Sequence, residues 1–313
     1  MNKTTILVTG AAGYLGSTLC ARLLESGYRV VALDNLFYGE VSLFHLCANP
    51  DFDFVYGDAR DERLIKSLLP TVDAIIPLAA MVGVGACNRD PEMTRSTNFG
   101  AIELLNRLRS PEQLIVYPTT NSGYGTSTGE IYCTEETPLQ PISLYGETKA
   151  EAETLLLGSP NTICLRLATV FGMSPRMRLD LLVNHFVYAA VFDRYLVIFE
   201  KDFKRNYVHV RDVADCFLHC LSNPDRMVGR PFNVGLDSAN LSKEQLALKV
   251  KEFVPDFYIH FSEIGSDPDK RNYIVSNQRL AEAGFVAKRS LDEGIPELMK
   301  GYKMLGRGKF KNI

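Results

Sequence analysis

Residues 5–16 read Thr5-Ile-Leu-Val-Thr-Gly10-Ala-Ala-Gly13-Tyr14-Leu15-Gly16, an unbroken apolar run that gives way at once to closely spaced glycines. Thr5-Ile-Leu-Val8 fits a strand buried on both faces, because a half-solvated strand would alternate apolar with polar residues. From Tyr14 the period changes, and apolar side chains recur at 15, 19, 23 and 24, the spacing of one helical face. Strand, glycine turn and helix in that order present backbone N–H groups at a helix N-terminus, where they can approach a pyrophosphate. The turn must be glycine-rich because Cβ atoms would hold a phosphate away from the backbone.

The same grammar repeats outward from this turn. Val30-Val-Ala-Leu33, Phe52 to Tyr56, Ala74-Ile-Ile76, Leu114-Ile-Val-Tyr117 and Thr162-Ile-Cys-Leu165 are short continuous apolar runs, with helical patterns at 61–69, 91–109 and 145–157 between most of them. Buried strands separated by helices predict an α/β fold, a doubly wound parallel sheet of Rossmann type. Beyond residue 168 the pattern loosens. Residues 172–178 are loop-like, 179–190 helical, and Tyr207 to Val210 and Phe232 to Val234 are expected to return to the sheet as strands. Helices are expected near 242–252 and 291–304. The division that follows is 1–168 with 206–236 as a cofactor domain, and 169–205 with 237–313 as a smaller C-terminal substrate-binding part.

Composition excludes several classes. A chain of 313 residues with 46% apolar and 23% charged residues is neither disordered nor fibrous. With 34 Lys+Arg against 37 Asp+Glu the net charge is −3, so no basic field marks a nucleic-acid binder. No apolar run reaches membrane-spanning length, and Met1-Asn2-Lys3-Thr4 lacks a signal-peptide layout, so a cytoplasmic location with no membrane partner is expected. Seven scattered cysteines form no C-x-x-C pair and read as reduced thiols. The stretch Cys216-Phe-Leu-His219-Cys220 fits a buried helix better than a metal site, and no metal is expected. The basic tail from Lys300 to Lys311 reads as a solvated end.

Asp34 follows the second strand about twenty residues past the glycines, beside Asn35. A carboxylate at that place accepts both hydroxyls of an adenosine ribose and repels a 2′-phosphate, favouring NAD over NADP. Tyr145-Gly-Glu-Thr-Lys149 puts a phenol and an ammonium four residues apart on one helical face. An ordinary phenol, with a pKa near 10, is no base at neutral pH. A neighbouring cation favours the phenolate, so Lys149 is expected to lower the Tyr145 pKa. Thr120 lies just past the strand Leu114 to Tyr117, at the end that faces the ligand crevice in such a sheet.

Further motifs follow in order: Gly57-Asp58-Ala59-Arg60, Leu78-Ala79-Ala80 after Pro77, Asp90-Pro91 with Asn98, Thr119-Thr120-Asn121-Ser122-Gly123-Tyr124-Gly125, Arg205-Asn-Tyr-Val-His-Val-Arg-Asp212 and Phe232-Asn-Val-Gly235. Together they make the chain resemble the extended short-chain dehydrogenase/reductase family that modifies nucleotide-activated sugars. The resemblance runs almost end to end. It implies that Gly10, Gly13, Tyr14, Leu15, Gly16, Asp34, Asn35, Asp58, Ala59, Leu78, Ala79 and Ala80 bind NAD together with Tyr145 and Lys149, Pro77 standing where relatives usually carry His. It implies that Tyr145, Lys149 and Thr120 are catalytic, the Thr120 hydroxyl bonding the reacting sugar oxygen. It gives Arg205 and Arg271 the substrate diphosphate, and puts Asn121, Ser122, Thr169, Arg178 and Asn184 around the substrate. Thr169 stands where relatives usually have Asn, and Arg176 is left between a site role and plain exposure.

Members that perform 4,6-dehydration carry an acid pair after that hydroxyl; Asn121 and Ser122 are not carboxylates, which disfavours dehydration. The combined motifs are most similar to a branch of bacterial capsular-heptose enzymes that oxidise C4 of a GDP-linked heptose. A nucleotide-sugar 4-epimerase and a non-catalytic NAD-binding sensor are the alternatives. The resemblance also implies a homodimer paired through helices near 93–109 and 147–157, with Phe99, Ile102, Leu105, Ala152, Leu155 and Leu156 as apolar stripes.

Overall fold

The computed structural model describes residues 3–39, 41–126, 132–265 and 271–306. The end of the basic tail, and the residues just before Arg271, lie outside them. Seven parallel strands form one sheet. Five come in sequence: β1 (Thr5–Thr9), β2 (Arg29–Asp34), β3 (Phe52–Tyr56), β4 (Ala74–Pro77) and β5 (Leu114–Thr120). With strands Thr162–Leu167 and Arg230–Val234 the spatial order is Arg230–Val234, Thr162–Leu167, β5, β4, β1, β2, β3. The chain runs outward from β1 through β2 to β3, then returns to the other side of β1 as β4 and continues away. That reversal opens a crevice beyond the C-terminal ends of β1 and β4.

The expected burial on both faces is seen in β1 and β2 but not in the edge strand β3, where Asp53, Phe54 and Tyr56 are exposed. Ile6 and Val8 of β1, with Val30 and Ala32 of β2, join one core that also holds Leu19, Leu23, Val213 and Phe217. The alternate residues Leu7, Val31 and Leu33 join a second core with Ile75, Ile115, Tyr117, Leu105 and Leu156. A third core, built from Phe171, Val183, Phe186, Tyr207, Leu246, Val250, Phe257, Ile295 and Tyr302, lies under the C-terminal part. Tyr14, one residue past the glycine turn, belongs to this third core.

Helix ends are set by their caps. Asp61 accepts from Arg63 N and Leu64 N to start the helix Glu62–Leu68, and Ser143 accepts from Gly146 N to start Leu144–Leu157. Ser242 with Gln245, and Ser290 with Glu293, form capping boxes for Lys243–Phe253 and Leu291–Leu305.

Three expectations change. Tyr207 to Val210 does not return to the main sheet: Lys204–His209 pairs in parallel with Thr169–Phe171 and antiparallel with Asn240–Ser242, and Val210 begins the helix Val210–Ser222. The free edge of Thr162–Leu167 is already taken by Arg230–Val234. The helical pattern at 91–109 is not one uniform helix. Pro91–Arg95 and Ala101–Leu108 are joined through a wider π turn at Ser96–Gly100, with a further helix at Val84–Arg89. Of the apolar stripes expected at a dimer interface, Ile102, Leu105, Ala152 and Leu156 are buried in the chain's own second core, leaving Phe99 and Leu155 half-buried.

Cys216 and Cys220 are buried in Val210–Ser222, where His219 Nε2 meets Ala283 O at 3.0 Å. Among the described residues no group of three His, Cys, Asp or Glu is placed to hold a metal, and no helix is long and apolar enough to cross a membrane.

Candidate cofactor and catalytic site

The glycine turn is closed to side chains. Gly10 has φ +67°, and a Cβ on it would stand 2.6 Å from Ala79 N; one on Gly16 would stand 2.4 Å from Gly10 O. Gly13 precedes the helix Tyr14–Glu25, whose N-terminal amides have no side-chain cap and whose first turn carries no acid. The result is an uncapped, electropositive helix end behind a bare backbone, the shape and field that a dinucleotide pyrophosphate requires. Asp34 is held at the end of β2: Oδ2 accepts from Ala12 N at 2.9 Å and Oδ1 from Leu36 N at 2.7 Å. Each carboxylate oxygen keeps a further lone pair for a ribose hydroxyl. These residues fit an NAD.

Gly10, Gly13, Tyr14, Leu15, Gly16, Asp34, Asn35, Asp58, Ala59, Leu78, Ala79 and Ala80 all line one cleft. Asp58 is already engaged, since Arg60 forks onto it with Nε–Oδ1 at 2.9 Å and Nη2–Oδ2 at 2.6 Å. Arg60 holds the Asp58 carboxyl below its usual range. Asn98, at the π turn, accepts from Met81 N at 2.7 Å and donates to Met81 O at 2.9 Å, fixing the backbone just past Ala80.

Thr120, Tyr145 and Lys149 line the same cleft. The Thr120 side chain acts on the Tyr145 phenol and pulls its pKa down, and Thr120 Oγ1 donates to Ser122 Oγ at 2.9 Å. The electrostatics depart from expectation. Burial pushes the Tyr145 phenol above its ordinary pKa, and the cations that pull it back most are Arg178 and Arg271, not Lys149. Lys149 is 4% exposed, and its Nζ lies 4.0 Å from the centre of the Tyr117 ring. Burial pushes its ammonium down to about 7. Sharing a helical face with Tyr145 is therefore not enough to make Lys149 the dominant charge on the phenol.

Among the residues expected at the substrate, Ser122, Thr169, Arg178 and Arg271 line the cleft, whereas Asn121, Asn184 and Arg205 do not. Arg178 Nε donates to Asp180 Oδ1 at 3.1 Å and Nη2 to Oδ2. Arg271 Nη1 donates to Ser122 Oγ. The Asn184 amide is spent inside the fold: Oδ1 accepts from Gly172 N at 3.0 Å, and Nδ2 donates to Arg178 O at 3.0 Å and to Tyr14 OH at 3.3 Å. Arg205 is buried, donating to Lys204 O at 2.9 Å with its guanidinium 5.7 Å from the Tyr273 ring. Asn121 is buried, and neither atom of its amide finds a hydrogen-bond partner among the described residues.

One residue left open by the sequence takes a definite place. Arg176 is buried in the cleft wall with its guanidinium 4.2 Å over the Tyr38 ring. The available signal was Pro175-Arg176-Met-Arg178, a loop whose Ser174 Oγ donates to Tyr14 O at 2.6 Å and so bolts it to the glycine turn.

The model of the NAD dependent epimerase/dehydratase family matches residues 6–235. The chain is 32% identical over 240 residues to the UDP-glucose 4-epimerase of Halalkalibacterium halodurans, covering 69% of this chain and 70% of that one. It is 28% identical over 315 residues to UDP-glucuronic acid decarboxylase 1 of Arabidopsis thaliana, covering 96% and 70%. Among solved structures, the UDP-glucose 4-epimerase of Thermotoga maritima with UDP-glucose superposes with a TM-score of 0.85 at 25% identity over 96% of this chain and 99% of that one. The dTDP-glucose 4,6-dehydratase of Bacillus anthracis in complex with NAD shares the fold, with a TM-score of 0.83 at 22% identity over 96% and 97%.

Proposed function

This chain belongs to the NAD dependent epimerase/dehydratase family, and we propose that within it the enzyme oxidises C4 of a nucleoside-diphosphate sugar. The substrate proposed is GDP-D-glycero-D-manno-heptose, which makes the enzyme a 4-dehydrogenase that releases a 4-keto sugar. The observation that supports C4 oxidation best is that Tyr145 and Thr120 line the same cleft as the glycine turn and Asp34.

In this reading NAD, when bound, supplies the hydride acceptor. The chain's own residues do the rest. Thr120 fixes the C4 oxygen, and Tyr145 removes its proton; Arg178 and Arg271 favour the phenolate, and Lys149, four residues along the same helix, holds the cofactor ribose in this reading. The Asp34 carboxylate takes the adenosine ribose, and the uncapped helix end at Gly13 takes the pyrophosphate. Arg271 and Arg178 are guanidinium groups suited to a diphosphate through paired hydrogen bonds. Asn121 and Ser122 offer an amide and a hydroxyl in place of a carboxylic acid, so loss of water at C6 lacks its acid.

A second reading is a UDP-sugar 4-epimerase, favoured by the UDP-glucose 4-epimerase relative at 32% identity. Both readings share the oxidation and differ in whether the 4-keto sugar leaves. With GDP-heptose, the dehydrogenase gives stoichiometric NADH absorbance on the protein and a C4 carbonyl product, and turnover needs an external oxidant. A C4 epimer formed catalytically, without NADH, replaces the dehydrogenase by the epimerase. For either, Tyr145→Phe is expected to abolish turnover while the fold and NAD binding persist; activity within a few-fold of the parent refutes C4 oxidation through Tyr145.

A further inference from the structure

Arg271, Ser122, Thr120 and Tyr145 line the same cleft, and the first three are linked by hydrogen bonds. Arg271 Nη1 donates to Ser122 Oγ. Thr120 Oγ1 donates to the same oxygen at 2.9 Å, and Ser122 N donates back to Thr120 Oγ1 at 3.1 Å. Thr120 and Ser122 are 8% and 2% exposed, so water competes poorly for these hydroxyls.

The proton count is what matters. A hydroxyl has one proton to give and two lone pairs. Thr120 has given its proton to Ser122, and both lone pairs of Ser122 Oγ are taken, by Arg271 and by Thr120. In this arrangement Thr120 cannot donate to a sugar oxygen, and one donor of Arg271 is turned away from any phosphate.

We propose that Ser122 is a positioning residue that tethers Arg271, and that a substrate diphosphate, by drawing Arg271 off, lets the Ser122 hydroxyl reverse and donate to Thr120, freeing the Thr120 proton for the C4 oxygen. This rests on the C4-oxidation reading and deepens it. Binding energy from a part of the substrate that does not react is then spent on completing the reacting centre. The tether also makes the free enzyme a poorer catalyst toward sugars that lack a diphosphate.

The test compares the parent with Ser122→Ala and Ser122→Thr, each NAD-loaded and checked for folding by thermal unfolding. Two quantities are read: the Kd of UDP and of GDP by calorimetry, and kcat and KM for NAD reduction by a nucleotide sugar. Ser122→Ala breaks no tether on binding, so its diphosphate affinity is expected to rise about tenfold, the scale of a hydrogen bond from a charged donor. Its kcat/KM is expected to rise by about the same factor, because the Thr120 proton no longer has to be recovered from Ser122. Ser122→Thr keeps the hydroxyl and is expected to lie closer to the parent than Ser122→Ala does in both. Tighter binding with a higher kcat/KM is not what simple loss of structure produces. If Ser122→Ala does not fold, Ser122→Cys weakens the acceptor at the same shape and carries the same expectation in direction. A parent that turns over a nucleotide sugar while these variants bind diphosphate no more tightly overturns the tether alone, as does Ser122→Thr behaving like Ser122→Ala. A parent that neither binds UDP or GDP nor reduces NAD with any nucleotide sugar overturns both the tether and the C4-oxidation reading.

Discussion

Replacing Lys149 with Met is expected to make the cofactor-free protein more stable at neutral pH, although it removes a proposed catalytic group. Lys149 is 4% exposed, stands over the Tyr117 ring, and has its ammonium pushed from 10.5 down to about 7 by burial. In the unfolded chain the same side chain stays charged to about pH 10. Between the two values the unfolded state binds more protons than the folded one, so folding stability rises with pH across that window. Equivalently, the penalty for Lys149 is fully present below pH 7 and is relieved as the pH climbs toward 10.5.

At about 1.4 kcal/mol per tenfold, the separation amounts to about 5 kcal/mol below pH 7 and about 2 kcal/mol at pH 9. Met fills the same elongated space without a charge and loses a cation–π contact of about 1 kcal/mol. The net gain expected for Lys149→Met is therefore about 2–4 kcal/mol at pH 7, or roughly 4–8 °C in Tm for a chain of this length. By pH 9.5 most of it should be gone. Thermal unfolding of cofactor-free parent and variant at both pH values measures this. A variant that is less stable at pH 7, or whose advantage is the same at pH 9.5, refutes the buried and poorly compensated ammonium.

Asp34→Ala should weaken NAD binding by about tenfold or more, the scale of a lost hydrogen bond to a charged group, and narrow the preference against NADP; a protein that copurifies with NADP contradicts the role given to Asp34. Arg178→Met removes the cation that pulls hardest against burial at the Tyr145 phenol, so the phenol pKa should rise and the acid limb of kcat/KM should move to higher pH; an unmoved limb refutes that coupling. Glu153→Gln breaks a buried pair, in which Arg166 Nη2 and Nε meet Glu153 Oε1 at 2.6 and 2.9 Å, and should destabilise the fold by about 3–5 kcal/mol in urea unfolding. A loss under about 1 kcal/mol would show that Arg166 is already satisfied by Tyr124 OH and Glu135 O, 2.9 and 3.1 Å from Nη1.

What the sequence could specify was local. Thr5 to Val8 and the glycines beyond it carry their own instructions, because a run buried on both faces and a turn that excludes Cβ atoms are properties of consecutive residues. Partner choice was not local: the run at Tyr207 reads as a strand, but only the occupation of the Thr162–Leu167 edge by Arg230–Val234 sends it to Thr169–Phe171. The aim of a long polar side chain was equally hidden. Asn184 and Arg178 sit six positions apart in one loop-and-helix segment, yet Arg178 reaches the cleft while the Asn184 amide turns inward to Gly172.

The site also shows why charge assignments resist sequence reasoning. Helical spacing places Lys149 on the face of Tyr145, but the field at a phenol depends on which cations burial leaves close to it, and these come from distant segments, at Arg178 and Arg271. Those two arginines are also the groups proposed for the diphosphate. Substrate binding and the acidity of the phenol are then coupled through the same side chains: a diphosphate that neutralises Arg271 and Arg178 weakens their pull on Tyr145. Lys149, which lines the same cleft, is then a group that could help hold the phenolate in the bound complex. A lysine poised near neutrality by burial can gain its proton as negative charge develops beside it. The instability it imposes on the empty fold is thus the reserve that the site would draw on when the substrate arrives.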